Sequence, residues 1–465
     1  MILLLQAAPL ALLVALLLSG RAGPVSAVTA ALAVAVPAAL ASLPAGSDGA
    51  GFLAAEALRG VYLALQPVGV MTGGLLFHAA VSRPATGGTA PEPRRIFAAT
   101  LLMGAFMESV TGFAVGAVFA LAALRAMGIG GAAAGAMALL SLCLVPWGGL
   151  GPGTLLGAAL VHLPAQDLAR LAAFPNAAWL LALGPVLWRL CSAAGIAVPG
   201  REKLTQTMIL AAVAALLVGG HWVLPFEVVG ILATGMPLLA VLWRLDPPRD
   251  APARQRVVAA MAPYLLLTAA LLAARAIPDP PAIHPYPELP AFPVTHVAIV
   301  LWCVALALLA TRPDAMARLR GAARRAPRPA LALLLYVLLA RWLAGSGATA
   351  ALADAASGAL GSFAPFAIVP LGLAAGMATG SNVGSNAALM PVQAALGAAA
   401  GLPPLLAPAL HNFAGAAGAG MSFAVTALVC GLLADGTRPA QLWRLLLPSL
   451  GAVLLIGTVA MLLLR

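Results

Sequence analysis

Charge is all but missing from long tracts of this sequence, and that absence decides what the chain can become. Apolar stretches follow one another at 2–19, 25–41, 59–80, 96–127, 132–161, 176–191, 207–219, 226–243, 257–274 and 294–310. They continue at 330–343, 363–377, 385–400, 405–433 and 442–464. Only 8% of the 465 residues are charged and 62% are hydrophobic, against about a quarter and roughly half in a soluble globular domain. With a mean hydropathy of +1.02, too little polar surface exists to coat a water-soluble fold. The stretches lack the period-two alternation of barrel strands, so helices are left to satisfy the backbone in lipid. The expectation is an all-α polytopic membrane protein with about 12–14 transmembrane segments of ~20 residues each. It forms one integral-membrane domain over residues 1–465, with approximate halves 1–250 and 251–465. Soluble enzymes, coiled coils and nucleic-acid binders are excluded.

The net charge of +11 has a topological reading. Arginines gather in short loops: Arg83, Arg94 and Arg95; Arg189, Arg201 and Lys203; Arg244, Arg249, Arg254 and Arg256; and six between Arg312 and Arg328. Segments 42–55 and 277–293 carry acids and no base. Placing the arginine loops in the cytoplasm puts the N-terminus outside and Arg21 inside. The 2–19 stretch has no basic residue ahead of it, so it reads as a retained span and not as a signal peptide. Cys143, Cys191, Cys303 and Cys430 show no CxxC spacing; they read as small buried hydrophobes, with no metal site or disulfide framework.

One region breaks the count. Three apolar stretches lie between the Arg83–Arg95 and Arg189–Lys203 loops, where an even number is required. The stretches 96–127 and 132–161 are too long and too rich in Gly and Pro for simple spans. Non-helical backbone at membrane depth is tolerated only against protein or a wet cavity. Either one of these stretches re-enters without crossing or one is two segments; with a second interrupted segment at 379–386, the expectation is two re-entrant or broken helices. Glycine-punctuated segments in opposite halves are the sequence pointer to a carrier's midplane site.

Three constellations could carry function. In GAFMESVTGF (104–113), Glu108 is the carboxylate in a long apolar stretch, costly there unless protonated, paired or reached by a cavity. Ser109 and Thr111 add hydroxyls, and Gly112 allows a close approach. The structural alternative is an ion pair from Glu108 to Arg125 or Arg275. In TGSNVGSN (379–386), Thr379, Gly380, Ser381, Asn382, Ser385 and Asn386 interrupt two apolar segments. They offer hydroxyls, amides and the free N–H groups of a half-helix to an anion, or else form an ordinary loop. In HNFAGAAGAGMS (411–422), His411 is either a proton carrier or a helix–helix hydrogen bond, and Asn412 a polar contact to substrate. His78, His162 and His221 fall near span ends and read as structural. Arg275 and Arg341 near the outer span ends either snorkel or face an anionic substrate. The 278–293 segment reads as a stiff external loop. Nucleophile elbows, HExxH and Walker loops are missing, so no enzyme activity and no cofactor is expected.

These three segments, in this order, resemble the lactate permease family of bacterial proton-coupled carboxylate transporters. Residues 104–113 look like that family's GAFLEG-type motif, with Glu108 on its glutamate. Residues 379–386 are similar to its TGS-[D/N]-x-x-SN stretch, and 412–422 to its Gly-rich segment ending in Gly-Lys-Met-Ile-Ser. Ser109, Val110 and Thr111 stand where small residues are usual, Asn382 where aspartate is frequent, and Ala419 where the family has lysine. The resemblance implies proton symport of a small monocarboxylate such as lactate or glycolate across the bacterial cytoplasmic membrane. It also implies two re-entrant hairpins meeting near the midplane, with Glu108 as a proton-coupling residue; His411, from its imidazole chemistry alone, is the second candidate for that role. The expected partners are the organic anion, protons, the lipid bilayer and a second copy in a homo-oligomer, but no nucleic acid. The rival readings are a sodium-coupled carrier or exporter using oxygens around Asn382 and Asn386, and a channel.

Overall fold

A computed structural model describes residues 2–19, 22–82 and 90–465; Arg21 and Arg83 lie outside these. Among the described residues, ten helices are long and apolar enough to cross a membrane, and four shorter apolar helices accompany them. The chain opens with α1 (Ile2–Leu18), α2 (Pro24–Ser42) and α3 (Gly49–Val81). Helix α3 starts ten residues before the expected 59. Asp48 caps it by accepting from the Gly51 N–H at 3.0 Å, and its early charges Glu56 and Arg59 are paired.

A tight hairpin follows. Helix α4 (Pro93–Phe97) runs through a π-helical stretch (Ala98–Gly104) into α5 (Ala105–Thr111), and α6 (Val115–Ala126) returns. Gly104 and Gly116 let the two arms touch: a Cβ at either would strike the other's neighbourhood. An interrupted helix comes next, α7 (Gly131–Leu139) and α8 (Pro152–Leu160), joined by 3-10 turns. Gly149, Leu150 and Gly151 take positive φ there. Helices α9 (Ala165–Ala193), α10 (Gly200–Gly220), α11 (Phe226–Leu245) and α12 (Ala251–Arg275) pack around this half.

Beyond α12, the expected stiff loop is a two-stranded strap, β1 (Ala282–Ile283) and β2 (Phe292–Pro293). Tyr62 donates to the Ile283 and Pro290 carbonyls at 2.8 and 2.9 Å. Then come α13 (Val297–Ala310), the amphipathic α14 (Ala315–Arg325), α15 (Pro327–Gly345) and α16 (Ala348–Leu360). A second hairpin, α17 (Ile368–Thr379) and α18 (Asn382–Ala399), turns at Gly380 and Ser381. A second interrupted helix, α19 (Leu406–Gly420) and α20 (Phe423–Leu433), breaks at Met421 and Ser422, where one span was expected. Helix α21 (Pro439–Leu464) completes the chain.

The element pattern of hairpin then broken helix thus occurs twice, and the ion pairs show how the copies are oriented. Arg94 meets Glu202 at 2.7 Å and Arg95 meets Asp246 at 2.9 Å. Arg125 donates to the Leu432 carbonyl, and Asp435 accepts from the Gly131 N–H. The open end of the first hairpin therefore sits on an arginine-rich face with the end of α20. The second hairpin enters from the opposite face. Gly372 and Gly376 of α17 contact α19 in register with His411 and Gly415, so α17 runs parallel to α19, and α18 returns. This resolves the odd count: 96–127 folds back, while 132–161 crosses. Two of the four cysteines, Cys143 and Cys191, are buried as expected, but Cys303 is exposed on the helix surface and Cys430 half-buried.

Candidate functional site

The two hairpin tips converge on one cavity of about 900 Å³, within the range of small-molecule sites. The first tip contributes Glu108, Gly112, Phe113 and Ala114, and the second Thr379, Gly380, Ser381, Asn382 and Gly384. The breaks of both interrupted helices, at Gly148, Gly153 and Gly420, complete the inner wall. From there the cavity reaches the start of α2 at Gly23 and Ser26, and Arg328 at the start of α15, on the arginine-rich face. Ala419, at the position where a lysine was noted above, lines it too.

Glycine is required at the tips. Gly112 has φ +67°, and a Cβ there would meet Gly149 backbone at 3.1 Å. Phe113 and Ala114 adopt φ of 57° and 59°, a left-handed conformation that costs L-residues about 1–2 kcal/mol each. Strain of this kind concentrates at ligand sites, and nothing in their side chains announced it.

Glu108 is buried, 3% exposed, and accepts from the Gly116 N–H at 3.2 Å. Neither expected cation reaches it. Arg125 is engaged with Leu432, and Arg275 pairs with Glu227. Arg341 pairs with Glu56 at 2.6 Å. Neither Arg275 nor Arg341 lines the cavity. Glu108 is the one carboxylate among the described residues that does.

The structure separates the other candidates. Ser109 donates to the Ala105 carbonyl and faces Gly230 of α11, and Thr111 donates to the Met107 carbonyl. Both hydroxyls are spent on the preceding helical turn and do not line the cavity, as Ser/Thr hydroxyls commonly do inside helices. Thr379 bonds the Ala375 and Ser381 carbonyls, and Ser381 caps α18 through Gly384 N–H. Ser385 and His411 lie behind the wall, with His411 Nε2 3.2 Å from the Ser385 carbonyl and 3.3 Å from its hydroxyl. That is the helix–helix bond considered as its structural alternative.

Asn382, Asn386 and Asn412 form a relay whose sense is fixed by chemistry. The Pro146 carbonyl can only accept, so Thr154 donates to it, at 2.6 Å. Thr154 Oγ1 then accepts from Asn412 Nδ2 at 3.0 Å, which leaves Asn412 Oδ1 to accept. Asn382 Nδ2 and Asn386 Nδ2 donate to it at 3.0 and 2.9 Å. Asn386 Nδ2 also donates to the Gly153 carbonyl at 2.9 Å, consistent with the same sense. The carbonyl oxygens of Asn382 and Asn386 are thereby turned away, buried and without a partner. Thr154, missed from the sequence, is the pin between the first broken helix and the second hairpin. Only its place just after Gly151, Pro152 and Gly153, at the start of α8, hinted at it.

No curated protein matches this chain. A family model described as L-lactate permease matches residues 281–465. That stretch holds the second hairpin, Asn412 and the second broken helix, so it is this C-terminal part of the helical membrane fold that is similar to the L-lactate permease family.

Proposed function

We propose that the chain is a secondary active transporter that moves a small monocarboxylate, of the lactate or glycolate kind, across the bacterial cytoplasmic membrane by proton symport. One observation carries the reading: a single carboxylate, Glu108, lines a cavity at which two hairpin tips from opposite faces meet, with no cation paired to it. Such a group is neutral or charged according to its surroundings, so it can take a proton on one side and release it on the other. Beside it, the first turn of α18 presents N–H groups to an anion, and the Ser381–Gly384 turn holds the substrate. The arginine-rich face is cytoplasmic, which places the N-terminus outside and makes this conformation inward-open. His411, bonded to Ser385 and off the cavity, serves helix packing in this reading. Oligomeric assembly plays no part in it.

The test is uptake of labelled lactate and glycolate by the purified protein in sealed liposomes under an imposed inward proton gradient. The expected result is accumulation that a protonophore collapses and that is indifferent to Na⁺. Glu108→Gln should abolish accumulation while preserving lactate–lactate exchange; unchanged accumulation would refute Glu108's role. The unpartnered Asn382 and Asn386 oxygens favour a second reading, Na⁺ coupling. It predicts uptake driven by a sodium gradient and unaffected by the protonophore.

A further inference from the structure

Tyr336 is a buried phenol without a partner. It sits on α15, outside both hairpins, is 3% exposed, and lines the same cavity. Its hydroxyl makes no hydrogen bond among the described residues. Its ring lies against the start of α18 because residue 384 is glycine: a Cβ there would stand 3.3 Å from Tyr336 Cε2. Native proteins seldom leave such a hydroxyl unmatched. We propose that Tyr336 donates its hydroxyl to the substrate carboxylate, and that Asn382 Oδ1 accepts the proton of a hydroxyl on the neighbouring carbon. This rests on the carrier reading above and names the groups by which that site would tell a 2-hydroxy acid from its analogues.

The polar groups around the second tip explain the choice. The donors are the Tyr336 hydroxyl and the backbone N–H groups of Asn382 and Val383, which make no backbone bond among the described residues. The relay leaves Asn382 with an oxygen that can only accept. A 2-hydroxy acid is complementary to this set, with two carboxylate acceptors beside one O–H donor. A 2-oxo acid or an unsubstituted acid brings no donor and leaves Asn382 Oδ1 unpaired. Sites built to bond a hydroxyl reject analogues that lack it. The remaining wall, including Met71, Val145 and Val383, is apolar and suits a methyl or hydrogen substituent.

The experiment compares full-length wild type with Tyr336→Phe in liposomes, together with thermal unfolding in detergent. Because the hydroxyl is unpaired, its loss should leave the unfolding midpoint unchanged or raise it. The KM for lactate and glycolate should rise roughly tenfold or more, with the maximal rate kept. For wild type, lactate should compete against labelled lactate at least about tenfold better than propionate or pyruvate. A wild-type KM in the variant, or a lowered unfolding midpoint, overturns the role of Tyr336 while lactate uptake by wild type upholds the carrier reading. Equal competition by propionate overturns the role of Asn382 Oδ1. Transport of no organic acid by wild type overturns the carrier reading itself, and the proposal falls with it.

Discussion

His221 occupies the turn between α10 and α11, outside both spans. Trp147, wholly buried in the first helix break, donates its indole N–H to His221 Nε2 at 3.1 Å. That bond needs a neutral ring. Burial, with help from Arg170, pushes the histidine down to about 4 from its ordinary value near 6.5. His296, capping α13, is likewise pushed down to about 4 by burial and by Arg275. A depressed folded value means that the unfolded chain binds protons the folded chain refuses between about pH 6.5 and 4. Stability is therefore full above 6.5 and falls as pH drops through that window, by on the order of 3 kcal/mol per histidine. Thermal unfolding followed from pH 7.5 to 4 should show this slope. His221→Gln, whose amide oxygen still accepts from Trp147, should flatten part of it and leave the His296 share. At the first tip, Gly112→Ala forces a Cβ into Gly149 from a left-handed backbone. It should lower stability by about 1–3 kcal/mol, read as a fallen unfolding midpoint.

Among the elements, α3 and α15 are joined by charge as well as by packing. Glu56 and Arg341 are both nearly buried, and Arg59 bridges from Glu56 to Glu288 of the strap. Removing one partner of such a pair strands the other, at a cost of about 3–5 kcal/mol. Arg341→Met should approach that loss, reduced by the contact Arg59 keeps with Glu56. Glu56→Leu combined with Arg341→Met should recover most of it, and thermal unfolding of the single and double variants forms the cycle that checks this. The elements also show what a linear reading reaches. Glu108, Gly380 and Ser381 were visible because charge and glycine inside apolar sequence are locally conspicuous. The odd number of stretches between basic loops pointed to 96–161, the region that holds the first hairpin, without choosing between its two stretches. Tyr336, Thr154 and the strained Phe113 and Ala114 were not visible, because each gains meaning from a neighbour distant in sequence, on another helix, or from a backbone angle. Ser109 and Thr111 misled for the converse reason: a hydroxyl beside Glu108 in sequence faces another way on a helix. The early starts of α3 and α9 were hidden by glycine, proline and charge, which the helices tolerate where ends are capped or ions paired.

For the whole molecule, the repeated unit of hairpin and broken helix places one tip from each face at the same depth. The cavity between them reaches the arginine-rich face, past Ser26 and Arg328. Its far side is closed by packed elements: α8 lies along α18, and Gly153 and Gly157 leave no space against Asn382, Asn386 and Met390. Opening to the other face must part that contact, which the Thr154–Asn412 relay spans.

The fixed sense of that relay has an electrical consequence. An aspartate in place of Asn382 could hold its bond to Asn412 Oδ1 only by being protonated, and would add a second acid to the cavity wall. With asparagine there, Glu108 stands alone, and a cycle based on its protonation carries one proton with one monocarboxylate. The loaded carrier, with Glu108 neutral and the substrate anionic, moves one negative charge inward; the empty carrier, with Glu108 ionised after its proton has left inside, moves one negative charge back, so the completed cycle moves none. Accumulation should follow the pH difference and ignore voltage. In liposomes clamped with valinomycin and potassium, the steady-state accumulation of lactate at a fixed pH difference should be the same at zero and at strongly negative interior potential.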